Sequence, residues 1–304
     1  MPARTGLTAR ATLRAALCVV AILAATAQSA SPDQEPVEPR VAIEKARALE
    51  RDGLPDEAYV YLYELVGTHE DLARDATVLI ELSRLSPTAD ESVELLEAAV
   101  EAARSAETVV RARRDLGDYL YARGSYMEAA EQYASAAGRA GEPERGFLLV
   151  KRADSILSAG DAGAAVDEYR ELKERGKAPD EATPWAALGL GRALIVKGDY
   201  LGAAVEFETF ADTYVEHEAR ARALSGAAEA RAAAGDFAAA RSALNLLVAE
   251  YPGTHEAVLA RQDLRTLPAD SMSVVPEPAS GAADDAEAES QGSTSGRGQD
   301  AETE

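Results

Sequence analysis

Residues 116–136 read Leu-Gly-Asp-Tyr-Leu-Tyr-Ala-Arg-Gly-Ser-Tyr-Met-Glu-Ala-Ala-Glu-Gln-Tyr-Ala-Ser-Ala. This stretch predicts a helix, a tight turn and a second helix. Gly124 falls where the first helix stops, because a left-handed C-terminal residue costs glycine almost nothing. Tyr126, Tyr133 and Ala136 lie seven and three residues apart, so they share one apolar face of the second helix. Gly117 and Ala129 are small residues expected on facing surfaces, where they let the two helices approach closely.

Diluted copies of this unit recur on both sides. Aligned on the glycine that ends the first helix, Gly124, Gly160, Gly198 and Gly235 are 36, 38 and 37 residues apart. Behind them run Tyr126-x-x-Ala129-x-x-x-Tyr133, Ala162-x-x-Ala165-x-x-x-Tyr169, Tyr200-x-x-Ala203-x-x-x-Phe207 and Phe237-x-x-Ala240-x-x-x-Leu244. Upstream, Gly53-Leu-Pro55-x-x-Ala58-x-x-x-Leu62 fits the same frame, and Pro87-Thr-Ala89-x-x-Ser92-x-x-x-Leu96 fits it more weakly. Six helical hairpins are predicted, and Glu256–Leu267 suits a final capping helix over the last apolar face.

The ends differ from this core. Arg4, Arg10 and Arg14 precede an apolar run from Ala15 to Ala27, which closes on the small-x-small site Ala25-Thr26-Ala27. That is the organisation of a secretory signal peptide over residues 1–27, and thirteen apolar residues fall short of the ~20 that span a bilayer. Cys18, the only cysteine, lies inside the run after Leu17 rather than at its end, which excludes a lipid-anchored cysteine. Cleavage would leave a chain with no cysteine, hence no disulfide and no thiolate site. The product is expected to be exported across the inner membrane to the periplasm. Residues 28–37 read as a linker, 38–267 as the repeat domain, and 268–304 as a disordered acidic tail with nine acids against one arginine.

Of 304 residues, 47% are hydrophobic and only 5% aromatic, which suits close-packed helices. The net charge of -22 removes the basic field that nucleic-acid binding and polybasic membrane attachment need. No phosphate-binding loop, nucleophile elbow or His-Glu-x-x-His motif occurs. The histidines are His69, His217 and His255, the last two one repeat apart at equivalent junctions, so turn roles explain them better than a metal site. No enzyme, metal or cofactor is expected.

The hairpin pattern resembles the tetratricopeptide repeat: small, aromatic, Ala and aromatic residues stand at the family's offsets, with Leu116-Gly117 and Leu190-Gly191 upstream and Pro252 closing a repeat. Ala153 and Ala228 replace the upstream glycine, and the steps exceed the family's usual ~34 residues. The resemblance implies an all-α, right-handed superhelical solenoid of about six repeats over roughly 38–267. Phe207-x-x-Phe210-x-x-x-Tyr214 and Leu244-x-x-Leu247-x-x-x-Tyr251-Pro252-Gly-Thr are also similar to repeats of exported envelope proteins, such as the Tol-Pal accessory coordinator and outer-membrane assembly lipoproteins.

In this family, spaced positions on the first helix of each repeat line the concave face. Mapped from the turns, that face holds Arg74, Arg111, Arg114 and Tyr121, then Phe147, Trp185 and Arg192. It is arginine-rich towards the N-terminus and apolar in the middle. Trp185 fits a packing register as well as a groove register. The resemblance therefore implies a non-enzymatic scaffold whose groove binds a protein or peptide segment with an acidic end and an apolar anchor. A self-assembling module, or a regulatory subunit of an exported enzyme or secretion complex, is the alternative. A plainer reading pairs the arginines with acids along their own helices.

Overall fold

The computed structural model describes residues 36–175 and 181–268. The expected leader, most of the linker and the acidic tail beyond Pro268 lie outside the described residues. Among those described there are fourteen helices and no strand. The six hairpins are α1 (Pro39–Arg51) with α2 (Pro55–Thr68), α4 (Ala76–Leu85) with α5 (Ala89–Ala102), and α6 (Ala106–Ala122) with α7 (Tyr126–Ala137). They continue with α8 (Glu144–Ser158) and α9 (Ala162–Arg175), α10 (Thr183–Lys197) and α11 (Tyr200–Thr213), and α12 (Arg220–Ala233) and α13 (Phe237–Glu250). A single turn, α3 (Glu70–Ala73), follows the first hairpin, and α14 (His255–Thr266) closes the series. Each helix packs on the next, and first helices also touch the first helices of neighbouring repeats. This is the expected all-α tetratricopeptide-like solenoid.

The turns explain the spacing. Gly53, Gly124, Gly160, Gly198 and Gly235 all have φ between 82° and 95°. At each, the amide after the glycine donates to a carbonyl five residues back, as Ser125 N does to Leu120 O at 2.9 Å and Asp199 N to Leu194 O at 2.9 Å. This bond satisfies carbonyls that the helix end leaves free. The second hairpin lacks it, because Pro87 cannot take a positive φ. There Ser86 leaves the helix extended, and Thr88 caps α5 by accepting from Glu91 N at 3.3 Å.

Close packing between helices rests on aromatic rings set against glycine. A Cβ on Gly117 would lie 2.7 Å from the ring of Tyr133, so Gly117 makes room for that ring. Phe207 lies between Gly191 of its own repeat and Gly226 of the next, where added Cβ atoms would come within 2.6 and 2.8 Å. Tyr169 sits against Gly189 of the following repeat in the same way. Ala153 and Ala228, which stand in place of the upstream glycine in their repeats, are buried.

Candidate protein-binding face

The first helices place most of the expected groove residues on one face. At its N-terminal end the centre is Glu81 of α4, only 1% exposed. Arg47 of α1 donates to it through two nitrogens, at 3.1 and 2.9 Å, and Arg84 donates at 2.8 Å. Arg84 also makes a two-pronged bond to Glu50 of α1, at 2.7 and 2.6 Å. Burial pushes the Glu81 carboxyl up, but the bonds from Arg47 and Arg84 outweigh it and hold its pKa below the usual value. The bond from Arg84 likewise lowers Glu50. These charges surround an open groove of about 650 Å³, with Arg51 and Arg111 completing its wall. A second depression of about 530 Å³ continues it past Ile43 and Pro39.

Arg111 differs from its neighbours. Its guanidinium is 3.8 Å from Glu81 and 3.9 Å from Asp115, 37% exposed, and makes no hydrogen bond among the described residues. Arg114 bonds Asp115 and Glu144, both at 3.1 Å. Further along, Tyr121 shares a 2.9 Å hydrogen bond with Ser158 of α8. Asp118 accepts from Tyr133 at 2.6 Å and from Lys151 of α8 at 2.5 Å. Asp154 accepts from Tyr169 at 2.6 Å and from Arg192 of α10 at 3.1 Å. Burial first, and then the aspartate partners, push both tyrosines above the ordinary phenol range.

Phe147 and Trp185 are half-buried against the C-terminal apolar cluster. For Trp185 this is the contact that its packing register expects. Its ring packs edge-on against His217 at 5.2 Å, and the guanidinium of Arg222 lies 5.8 Å from its centre. His217 also takes a turn role, its Nδ1 accepting from Ala219 N at 3.1 Å. Arg74 stands apart from the other expected groove residues. It follows α3, precedes the capping residue Asp75, and pairs with Glu70 at 2.5 Å with 70% of its side chain exposed.

The arginines pair locally, as the plainer reading held, at Arg40–Glu44, Arg74–Glu70, Arg84–Glu81 and Arg114–Asp115. Some of these, and others, also bridge successive first helices. Arg47 and Glu81 are 34 residues apart, as are Glu50 and Arg84, and Asp154 and Arg192 are 38 apart. Opposite charges one repeat apart at one offset are a signal the sequence carries. Glu81 and Asp154 answer to it; Lys151, which meets Asp118 33 residues away, does not and was not singled out from sequence.

Among the described residues, no three His, Cys, Asp or Glu side chains come together as metal ligands. No described helix is long and apolar enough to cross a membrane.

No protein-family model and no curated protein matches the sequence. Solved structures do match in fold. A tetratricopeptide repeat protein from Parabacteroides merdae superposes with a TM-score of 0.57 at 14% identity, over 75% of this chain and 86% of that one. The C-terminal part of a TPR repeat-containing protein from Cytophaga hutchinsonii gives 0.57 at 13%, over 81% and 94%. PilW, a type IV pilus biogenesis factor, gives 0.53 at 15%, over 73% and 98%. At these identities the likeness is one of fold.

Proposed function

We propose that residues 38–267 form a non-enzymatic scaffold that holds a segment of another exported protein against the face made by the first helices. The observation that carries this reading is Arg111. It is a guanidinium at the groove wall that makes no hydrogen bond among the described residues, ion-paired loosely with Glu81 and Asp115, between a charged end and the partly exposed rings of Tyr121, Phe147 and Trp185. Counting Arg111 itself, four arginines face three glutamates along the groove, with Asp115 3.9 Å from Arg111, so the groove is close to charge-balanced on a chain that is otherwise strongly acidic and repels an added carboxylate less than the rest of the surface. Arginine holds a carboxylate through two parallel bonds, and a neighbouring apolar side chain of the segment would find Ile43 on one side or Phe147 on the other. Arg114 and Arg192 support the face through their bonds to Glu144 and Asp154, while Arg74 would meet only a partner that extends past α3. The leader-like sequence of residues 1–27 supports a partner in the periplasm.

The test is a crosslinking pull-down from the exported fraction, with the wild-type chain and the pair Arg111→Glu, Arg114→Glu as baits. A protein recovered by the wild type and lost from the variant, with helicity unchanged by circular dichroism, supports the face. Recovery of the same proteins by both baits contradicts it.

A further inference from the structure

Six residues before each turn residue the first helices carry Arg47, Glu81, Asp118, Asp154, Arg192 and Glu229 in order. Nine residues after it the second helices carry Leu62, Leu96, Tyr133, Tyr169, Phe207 and Leu244. A hydroxyl stands at the second place only in the two repeats that have aspartate at the first. Both bonds form: Tyr133 donates to Asp118 and Tyr169 to Asp154, each at 2.6 Å. The tyrosines are 3% and 0% exposed. A phenol buried this deeply and given to one carboxylate fixes where that carboxylate points.

At Asp154 the arrangement closes on itself. The ring of Tyr169 lies against Gly189 of α10 and leaves no room there for a Cβ, so it sets the spacing between α8 and α10. Across that spacing Asp154 accepts from Arg192 of α10 at 3.1 Å, on the same Oδ1 that takes the phenol. Tyr133 closes no such loop, because its ring lies on Gly117 of its own hairpin. Arg192 gives one nitrogen to Asp154 and makes no other hydrogen bond among the described residues, and 55% of its side chain is exposed. On the same face Arg47, Arg84 and Arg114 each commit two nitrogens to carboxylates. Arg84 and Arg114 each hold two carboxylates at once.

We propose that Arg192 is a second anchoring point for the partner segment, taking a carboxylate through two of its remaining N–H groups, and that Tyr169 is its positioning residue, acting through Asp154. This rests on the reading that a segment lies along the first-helix face, and it adds the chemistry of that segment. Guanidinium recognises a carboxylate by a fixed fork of donors, so a pre-set orientation raises affinity without any net positive field. Arg111 and Arg192 stand two repeats apart, roughly 20 Å at the usual spacing of packed helices. Extended chain covers that distance in about six residues. The segment therefore carries two acidic side chains at about that separation, with apolar residues between them for Phe147 and Trp185.

The probe is a displayed library of random peptides, selected on the full wild-type chain. The binding of a selected peptide is then compared on Arg192→Gln, on Tyr169→Phe and on Arg170→Gln, which removes the same charge from an exposed arginine of the second helix α9. The proposal expects enriched peptides with two acids at the stated separation. Changing one of those acids to its amide should cost about tenfold in affinity for the wild type and for Arg170→Gln, and little for Arg192→Gln. Tyr169→Phe keeps the charge and lies beneath the surface, and the cost there should be intermediate. A variant that merely loosens the fold weakens the acid and amide peptides alike, so this coupling separates positioning from stability. No enrichment, enrichment without a second acid, or an amide change that costs the same on the wild type and Arg192→Gln overturns the proposal. A peptide lost from Arg111→Glu, Arg114→Glu but indifferent to Arg192→Gln leaves the binding face standing and removes this anchor. Indifference to both removes the two together.

Discussion

At Glu81 the chain buries a carboxylate and surrounds it with guanidinium groups, an arrangement stable only while the carboxylate is ionised. Its pKa in the folded protein lies below the unfolded value of ~4.3. Its contribution is therefore complete above that pH and is lost as the pH falls through the folded value. Glu81→Gln, which keeps the shape and cannot titrate, should cost about 1–3 kcal/mol at neutral pH. The variant should also lose stability less steeply than the wild type below about pH 4. Urea unfolding across that range checks both, and parallel pH profiles would contradict the assignment. Glycine provides a second case at this scale. Gly189→Ala drives a methyl into the ring of Tyr169 and should destabilise by about 1–3 kcal/mol. Gly163→Ala in α9 meets only ordinary contacts and should be neutral or stabilising by up to about 1 kcal/mol. Urea midpoints for the two variants should move in different directions or by clearly different amounts.

Elements were legible wherever a local rule decides them. The turn glycines fall at observed helix ends, and the small and aromatic positions behind them, such as Ala129, Tyr133, Ala203 and Phe207, lie buried within the second helices. Gly198, at φ 86°, closes α10 as its spacing predicts, and Gly198→Ala should cost about 1–2 kcal/mol by the left-handed penalty. Arg74 shows where a uniform repeat frame fails. Asp75 accepts from the amides of Thr77 and Val78, at 2.9 and 3.1 Å, and so restarts the helix at Ala76. That cap was readable locally but was overridden by the frame. The tie around α12 was not legible. Arg220, 8% exposed, donates to Ala211 O at 2.7 Å and to Glu250 and Tyr251. It joins the ends of α11 and α13 to the start of α12, and nothing local in sequence marks it. Arg220→Met should cost about 1.5–3 kcal/mol through the lost charged hydrogen bonds, measured as a lower urea midpoint. An unchanged midpoint would show that the three bonds add nothing.

For the whole molecule, stacked repeats draw their stability from neighbours, and cooperativity weakens where a neighbouring interface is weak. Trp185 is the only tryptophan and lies in the C-terminal cluster, so its fluorescence reports that half while far-ultraviolet circular dichroism reports all helices. With the rings of Tyr169 and Phe207 keyed across repeats only in that half, tryptophan fluorescence should change at higher urea than the mean helicity. Coincident curves would mean one cooperative body. The pairing of charges between repeats at equal offsets, as in Arg47 with Glu81 and Asp154 with Arg192, could be read from the repeat frame, whereas Lys151 with Asp118 depends on how neighbouring first helices pack and has no such mark.

The most direct measurement of the binding face replaces one residue at a time with a photoreactive amino acid in the living cell. The positions are Arg111 on the first-helix face and, in contrast, the exposed Met127 and Val205 on second helices. The account predicts a discrete crosslinked partner from position 111 and none from 127 or 205. The same partner captured from the second-helix positions and not from 111 would contradict it.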